Sequence, residues 1–173
     1  YTFSADGQAN CLDAASGKLI WRKNLEKETG AKRHNSWGYA GSPLVRGDLV
    51  VFPIGKFGTA VKKETGEVAW FSGKEVAGLS APVLVQRDGQ DCILSRSDTE
   101  FCLASLADGR VLWRYRWGNG FDSADPLVIG DEVLLSGAYA KQCLLIKIGD
   151  KEPVWKNGNL IPEVASPILY KGA

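Results

Sequence analysis

Residues 64–70 read Glu-Thr-Gly-Glu-Val-Ala-Trp, a polar turn that leads at once into a short apolar run ending in tryptophan. The same arrangement recurs upstream at 16–21 (Ser-Gly-Lys-Leu-Ile-Trp) and downstream at 108–113 (Asp-Gly-Arg-Val-Leu-Trp). Glycine takes the positive φ that tight hairpin turns require, and the residues after it suit a β-strand. A chain that ends three segments in the same way is expected to contain structural repeats.

Two markers share one spacing along the chain. A strand-ending tryptophan occurs at 21, 70, 113 and 155, in steps of 49, 43 and 42 residues. A proline that starts an apolar run occurs at 43, 82, 126 and 167, in steps of 39, 44 and 41 residues. Proline has no N–H to donate to a ladder, so it suits the first position of a strand. Two independent markers with one period indicate a repeat architecture.

Each repeat is interpreted as four antiparallel strands. Helical spacing of apolar residues is not sustained over three turns anywhere in the chain. Units of this length with four strands are the blades of a β-propeller, so the sequence predicts an all-β fold of about four blades. The predicted division of the single segment 1–173 is a partial blade at 1–25, blades at 42–72, 81–117 and 125–158, and the first strand of a further blade at 166–170.

The strand-ending tryptophans are expected to lie between neighbouring sheets. A tryptophan is large enough to cross the roughly 10 Å between packed sheets, and its indole N–H then needs an acceptor on the next sheet. Repetition in every unit favours this structural role over ligand stacking. The residues predicted to make these contacts are Trp21, Trp70, Trp113 and Trp155, with the turn glycines Gly17, Gly66 and Gly109.

The composition and the first residue of the chain indicate which partners, which membrane topology and which extent of the propeller to expect. The net charge of +1 favours neither a nucleic-acid partner nor an anionic membrane surface. The longest apolar runs are about five residues, against the roughly 20 of a membrane-spanning helix. The chain begins with Tyr1 and contains no methionine, so we expect it to be part of a longer protein. We expect an open arc of blades rather than a four-bladed ring closed by pairing of 167–169 with 1–3.

Two segments resemble the tryptophan-docking repeat of pyrroloquinoline-quinone (PQQ) dehydrogenase propellers. They are residues 11–21 (Cys-Leu-Asp-Ala-Ala-Ser-Gly-Lys-Leu-Ile-Trp) and 60–70 (Ala-Val-Lys-Lys-Glu-Thr-Gly-Glu-Val-Ala-Trp). Cys11 and Ser16 replace the alanine and threonine of that pattern, and Lys62 replaces its aspartate. The resemblance implies a larger, eight-bladed ring and a periplasmic or extracellular location.

The PQQ-like superfamily contains quinoprotein dehydrogenases and also repeat proteins that bind no quinone, among them the outer-membrane assembly lipoprotein. The segment looks most like the uncharacterised bacterial PQQ-binding-like propellers. The predicted function is therefore a non-catalytic scaffold for binding or protein assembly, without a cofactor. Two alternatives stay open. One is a fragment of a PQQ-dependent quinoprotein dehydrogenase, for which the resemblance implies PQQ with calcium, and the other is the extracellular sensor propeller of a membrane kinase.

Catalytic and metal-ligating patterns are sparse in the sequence. His34 is the only histidine, so no triad or cluster of histidines can form. Dehydrogenases of this family carry two adjacent cysteines, which the sequence lacks, although Cys92 and Cys102 flank one hairpin and leave a disulfide open as an alternative. Asp122 and Asp125 are the acids of one aromatic-rich loop. We predict no catalytic residues and no metal site.

A binding site, if the chain has one, is expected on one propeller face. Loops from outer to inner strands meet there with loops from second to third strands, and their aromatic and charged side chains suit a protein, or a small anionic or carbohydrate ligand. The predicted binding residues are Trp37, Tyr39, Lys56, Arg96, Phe121 and Asp122. Ordinary loop packing is the competing interpretation of the same aromatics.

Overall fold

The computed structural model describes residues 1–34, 36–118, 122–162 and 164–171. Within these residues the chain forms four antiparallel sheets, one of three strands and three of four. In every sheet, strands that are neighbours in sequence are also neighbours in space. This is the all-β propeller arrangement that the repeat predicts.

All strands are short, between two and seven residues, and each sheet runs from an inner to an outer strand. The first sheet contains β1 (Thr2–Phe3), β2 (Gln8–Leu12) and β3 (Leu19–Asn24). The second contains β4 (Leu44–Arg46), β5 (Leu49–Phe52), β6 (Thr59–Lys62) and β7 (Val68–Phe71). The third contains β8 (Val83–Arg87), β9 (Gln90–Arg96), β10 (Glu100–Ser105) and β11 (Val111–Arg116). The fourth contains β12 (Leu127–Ile129), β13 (Glu132–Gly137), β14 (Gln142–Lys147) and β15 (Trp155–Asn157).

The apolar core is divided into three layers, one between each pair of successive sheets. Strand β5 shows how one strand serves two layers. Val50 and Phe52 pack in the layer toward the first sheet, and Val51 packs in the layer toward the third. Successive side chains of a strand point to opposite faces, so a middle strand that is covered on both sides is apolar at every position.

A β-bulge precedes three of the strand-ending tryptophans. The ladder register shifts by one residue next to the pairs Cys11–Trp21, Ala60–Trp70 and Leu103–Trp113. A bulge bends the strand and re-aims the side chain beside it, and here it does so at the same place in each of the three sheets. Sequence periodicity does not reveal the bulge, because one unpaired residue leaves the spacing of turns and strands unchanged.

A single turn of helix, α1 (Leu25–Thr29), follows the first sheet. The side chain of Asn24 accepts a hydrogen bond from the Lys27 backbone N–H at 2.9 Å, and Gly30 ends the helix with φ of +67°. Among the described residues, no helix has the length and apolar character needed to cross a bilayer.

One expectation differs from the structure, and one alternative is excluded. The strand predicted at 166–170 is absent, because these residues pair with none of the described strands. β1 has β2 as its strand neighbour in the described part of the chain, so no ring closes through pairing with 167–169. The alternative of a disulfide between Cys92 and Cys102 is wrong, because the two thiols lie in different core layers on opposite faces of one sheet.

Candidate functional site

The connections between strands gather at two ends of the sheets. We call one the turn end: it holds the tight turns before the outer strands, at 13–18, 63–67 and 106–110. We call the other the loop end: it holds the longer connections, including 25–43, 53–58, 72–82 and 97–99. The five predicted binding residues that the structure describes belong to the loop end, whereas the tryptophan contacts reach the turn end.

At the turn end, each inward tryptophan is hydrogen-bonded to the following sheet. The indole N–H of Trp21 donates to the carbonyl of Lys63 at 2.9 Å, and that of Trp70 donates to the carbonyl of Leu106 at 2.8 Å. Both tryptophans are buried. The bond satisfies the one polar group that a buried indole carries, so the side chain fills the layer without an orphaned donor.

A glycine lies against each of these two indoles. A Cβ on Gly66 would lie 2.8 Å from Cε3 of Trp21, and a Cβ on Gly109 would lie 2.8 Å from Cε3 of Trp70. Both glycines also have positive φ, of +73° and +72°. Turn geometry and close approach of the ring therefore both require glycine.

The tryptophans of the third and fourth sheets are less buried than those of the first two. Trp113 donates to the carbonyl of Asp150 at 2.9 Å but is only half-buried. Pro153 stands three residues after this acceptor, where the two earlier turns have glycine. Trp155, expected to be buried as well, is 41% exposed, and its indole N–H makes no hydrogen bond to any described residue.

At the loop end, Arg96 and Asp122 lie together with no exposed side-chain surface. The guanidinium of Arg96 donates to the backbone carbonyl of Asp122 at 2.7 Å and lies 3.9 Å from its carboxylate. The two carboxylate oxygens accept from the indole N–H of Trp117 at 3.0 Å and from the backbone N–H of Tyr139 at 2.7 Å. Burial lowers the pKa of Arg96, and the negative charge of Asp122 acts in the opposite direction. This pair ties the second-to-third-strand loops of two sheets together.

Close glycine approaches enclose the pair. A Cβ on Gly78 would lie 2.3 Å from Cγ of Arg96, and one on Gly137 would lie 2.1 Å from a carboxylate oxygen of Asp122. The backbone at these two glycines therefore lies directly against the two side chains, and one Arg96 guanidinium nitrogen, Nη2, is buried without a hydrogen-bond partner among the described residues. Arg96 and Asp122, both predicted as binding residues, contact protein atoms in the structure.

Lys56 is also engaged by neighbouring side chains. Its ammonium lies 3.0 Å from Glu100, which in turn accepts a hydrogen bond from Arg114 at 2.8 Å. Both cations lie over the ring of Phe57, at 5.3 and 5.1 Å from its centroid. The ammonium of Lys56 also lies 3.8 Å from Glu75, so two carboxylates balance the two cations and Lys56 is not a free anion-binding group.

The two predicted aromatics of the 31–39 loop behave differently. Tyr39 is buried, its hydroxyl donates to the carbonyl of Ala31 at 3.2 Å, and burial raises the pKa of that hydroxyl above its usual value. Trp37 is 65% exposed. Phe121 lies outside the described residues. Of the predicted aromatics that are described, Trp37 therefore remains available to a partner.

Trp37 lies at the edge of an open cleft, which we call the loop-end cleft. Its main part has a volume of about 750 Å³, and an adjoining hollow of about 340 Å³ shares the residues Arg33, His34 and Ser36 and reaches Trp37. Burial raises the pKa of Asp98 on the far wall, while the charges of His34 and Arg96 act against this. The main part is lined by Glu26, Ala31, Lys32, Arg33, His34, Ser36, Val76 and Asp98. Sequence analysis missed this cleft, because its walls come from three separate connections.

A second set of contacts near the inner strands was also missed. The backbone N–H of Ala81 donates to the carboxylate of Asp125 at 2.7 Å, and the backbone N–H of Asp125 donates to the hydroxyl of Ser166 at 3.0 Å. Each of these residues immediately precedes a proline marker. Asp125 thus links the starts of successive inner strands, and its carboxylate is already used.

The acids do not form a metal site in the described part of the chain. No group of three His, Cys, Asp or Glu side chains there is arranged to hold an ion. Asp122, the acid that sequence analysis singled out, is fully buried with both oxygens accepting from protein donors. Neither carboxylate oxygen of Asp122 is therefore without a hydrogen-bond donor.

Solved structures show that the fold is that of PQQ-type propellers. BamB from Moraxella catarrhalis aligns with a TM-score of 0.60 and 19% identity, covering 90% of this chain and 44% of that one. Quinohemoprotein alcohol dehydrogenase from Pseudomonas putida HK5 aligns with a TM-score of 0.66 and 13% identity, covering 91% and 32%. The enzyme from Comamonas testosteroni aligns with a TM-score of 0.64 and 15% identity, covering 91% and 33%. At these identities the likeness concerns the fold, and the chain spans less than half the length of each relative.

The sequence itself places the chain within one family of these propellers. The profile of the family described as outer membrane protein assembly factor BamB matches residues 1–171. The chain belongs to this family. A comparison with curated protein sequences finds no match.

Proposed function

We propose that the chain is a non-catalytic scaffold segment of a cell-envelope protein, in the periplasm or outside the cell, which binds a protein partner through the loop-end cleft. The family match to an outer membrane protein assembly factor supports an assembly role and an envelope location. The observation that carries the proposal is the exposed indole of Trp37 beside a wide cleft of mixed charge.

The chemistry of the cleft favours a protein over a small ligand. Tryptophan and arginine are enriched among the residues that dominate protein–protein binding energy, and Trp37 and Arg33 lie together here. The basic groups predicted for an anionic ligand, Lys56 and Arg96, are instead paired with Glu100 and Asp122. Small-molecule sites are mostly concave and apolar with a few convergent polar groups, which this open cleft is not.

Site-specific crosslinking tests the partner and the surface together. A photoreactive residue at position 37 in the full-length protein, expressed in its source organism, is expected to capture a component or client of outer membrane protein assembly. The matched control carries the same residue at position 48, where the Asp48 side chain is fully exposed at the turn end. Equal capture from both positions, or none from position 37, contradicts the proposal.

A cofactor titration tests the competing activity. The proposal includes no bound PQQ in this segment, since the buried oxygens of Asp122 are fully used. The full-length protein is titrated with PQQ and calcium while quinone absorbance and alcohol-dependent dye reduction are followed. Stoichiometric quinone binding with alcohol oxidation would establish a dehydrogenase in place of the scaffold.

A further inference from the structure

We propose that a hollow between the third and fourth sheets, at the turn end, binds a small aromatic carboxylate. We call it the third-junction hollow, a junction being the contact between two successive sheets. It has a volume of about 220 Å³ and is separate from the loop-end cleft, which lies at the opposite end of the sheets. Its lining includes the apolar residues Leu103, Leu112, Trp113 and Ile148 and the polar residues Arg87 and Gln90.

A displaced glycine opens this hollow. At the first two junctions the glycine of the turn lies flat against the indole, whereas at the third Pro153 stands at that place and the glycine of the turn is Gly149. A Cβ on Gly149 would meet the guanidinium of Arg87 at 3.4 Å and no indole. Trp113 keeps its hydrogen bond to the carbonyl of Asp150 but stays half-buried. Part of its ring therefore lines the hollow instead of being covered by a turn.

The second junction shows what an arginine at the end of an inner strand can bind. Arg46 ends β4 as Arg87 ends β8, and each pairs with the first residue of the next strand. The guanidinium of Arg46 donates to the carboxylate of Asp91 on the third sheet through two nitrogens, at 2.7 and 3.3 Å. Such a two-point contact is the strong and selective way in which arginine holds a carboxylate.

The third junction lacks the matching carboxylate. Asp91 is the second residue of β9, and the residue at the same place in β13 is Val133, which is fully buried in the apolar layer. Arg87 uses Nη1 to donate to the carbonyl of Ile148 at 2.8 Å. The described carboxylate within 4 Å of its guanidinium is that of Asp88, at 3.9 Å on an almost fully exposed side chain, and such a surface ion pair is weak. The guanidinium therefore keeps donors for a carboxylate from outside the chain.

The hollow is large enough for an aromatic ring beside that carboxylate. A protein cavity of about 150 Å³ can hold benzene, and the volume here is about 220 Å³. Aromatic rings stack on an indole in offset or edge-on geometry, and burial of apolar surface favours their binding. In the complex the ring packs against Trp113 and Leu103, and the carboxylate binds Arg87. A concave apolar lining with one charged group is usual for small-ligand sites.

Ligand-observed NMR on the full-length protein tests this site, with phenylacetate as the probe. We expect a dissociation constant on the order of 1 mM, which is ordinary for a ligand of about ten non-hydrogen atoms. Phenylacetamide has the same ring without the charge, and acetate has the charge without the ring. Each is expected to bind at least about 10-fold more weakly, since each loses one of the two contacts.

Arginine variants locate the bound probe. Arg87→Gln removes the carboxylate partner and is expected to raise the dissociation constant of phenylacetate by about 10- to 100-fold. Arg87→Lys keeps the charge without the fork of two donors and should lie between that variant and the unchanged protein. The matched control is Arg46→Gln, at the same place in the second sheet, where Asp91 already occupies the guanidinium. It should leave the affinity for phenylacetate within about 2-fold.

The outcomes separate this site from others on the protein. Equal affinity for phenylacetate and phenylacetamide in the unchanged protein contradicts the role of the charge, whether or not any variant folds. Full affinity in Arg87→Gln, or an equal loss in Arg46→Gln, places the probe elsewhere and overturns the proposal. Absence of saturable binding up to the solubility limit of phenylacetate overturns it as well. None of these outcomes depends on the crosslinking at position 37, which tests the loop-end cleft.

Discussion

Gly109 lies flat against the indole of Trp70, so closely that a Cβ on the glycine would come within 2.8 Å of the ring. The two residues belong to different sheets and are 39 positions apart in the chain. Their contact shows why the turn and the tryptophan recur together: the tryptophan of one repeat leaves room only for glycine in the turn of the next repeat. The unit of this fold is therefore the junction between two sheets.

Removing Trp70 should weaken the second junction severely. Trp70→Ala empties a buried site and leaves the carbonyl of Leu106 without its donor, so we expect a loss of about 3–5 kcal/mol in the free energy of unfolding. Urea denaturation followed by circular dichroism measures it. Trp37→Ala is the control, since Trp37 is 65% exposed and should cost less than about 0.5 kcal/mol. A loss below about 1 kcal/mol for Trp70→Ala would remove its role in the junction.

Alanine at two turn glycines separates backbone strain from ring contact. Gly17→Ala and Gly66→Ala share nearly the same positive φ, so each should lose about 1–2 kcal/mol from strain. Only the Cβ at position 66 meets an indole, and this clash should add about 1–3 kcal/mol to the loss in the free energy of unfolding. Urea denaturation of the two variants and of the unchanged protein measures the difference. Equal losses at the two positions would contradict the described contact.

Removing one partner of the buried Arg96–Asp122 pair should lower the free energy of unfolding far more than replacing both residues with neutral ones. Asp122→Ala leaves Arg96 charged and buried without compensation, so we expect a loss of about 3–5 kcal/mol. Arg96→Met combined with Asp122→Asn should recover much of that loss, because it removes both charges and keeps an acceptor. Thermal unfolding of the single and double variants provides the comparison. A single variant as stable as wild type would show that the pair contributes nothing to the fold.

Alkaline pH should lower the free energy of unfolding because of the buried thiol of Cys102. Burial raises the pKa of this thiol from 9.0 to about 12. The unfolded chain therefore loses the thiol proton first, so the contribution to stability is complete below the unfolded pKa and is lost as the pH rises toward the folded one. We expect the urea midpoint to fall between pH 8 and pH 10, and to fall less in Cys102→Ala. Identical pH profiles for the two proteins would contradict the assignment to Cys102.

The repeat made the class of fold predictable, because turn glycines, strand-ending tryptophans and leading prolines all sit at positions where backbone geometry restricts the choice of residue. Glu64 to Trp70 alone gives a turn and a strand. The bulge before Trp70 left no trace in the spacing, and neither did the helix α1, whose five residues are too few for an apolar period.

The candidate site was less accessible to sequence reasoning. An aromatic residue in a loop can be buried or exposed, and the sequence does not distinguish the two cases. In the structure Tyr39 is buried and Trp37 is exposed to solvent. Arg96 and Asp122 are adjacent in space but separated by 26 residues, and their mutual burial depends on the packing of two sheets. The loop-end cleft needs three connections at once, which no local pattern encodes.

The division of the core into three separate layers has a consequence for how such a protein can change over evolutionary time. Because each layer is built from two successive sheets and the connections beside them, duplication or deletion of one repeat adds or removes one layer and leaves the distant layers as they were. Copy number can then drift without redesign of a shared interior. Exposed positions of the loop-end connections, such as Trp37, lie outside the layers and can diverge toward different partners while the junctions stay the same.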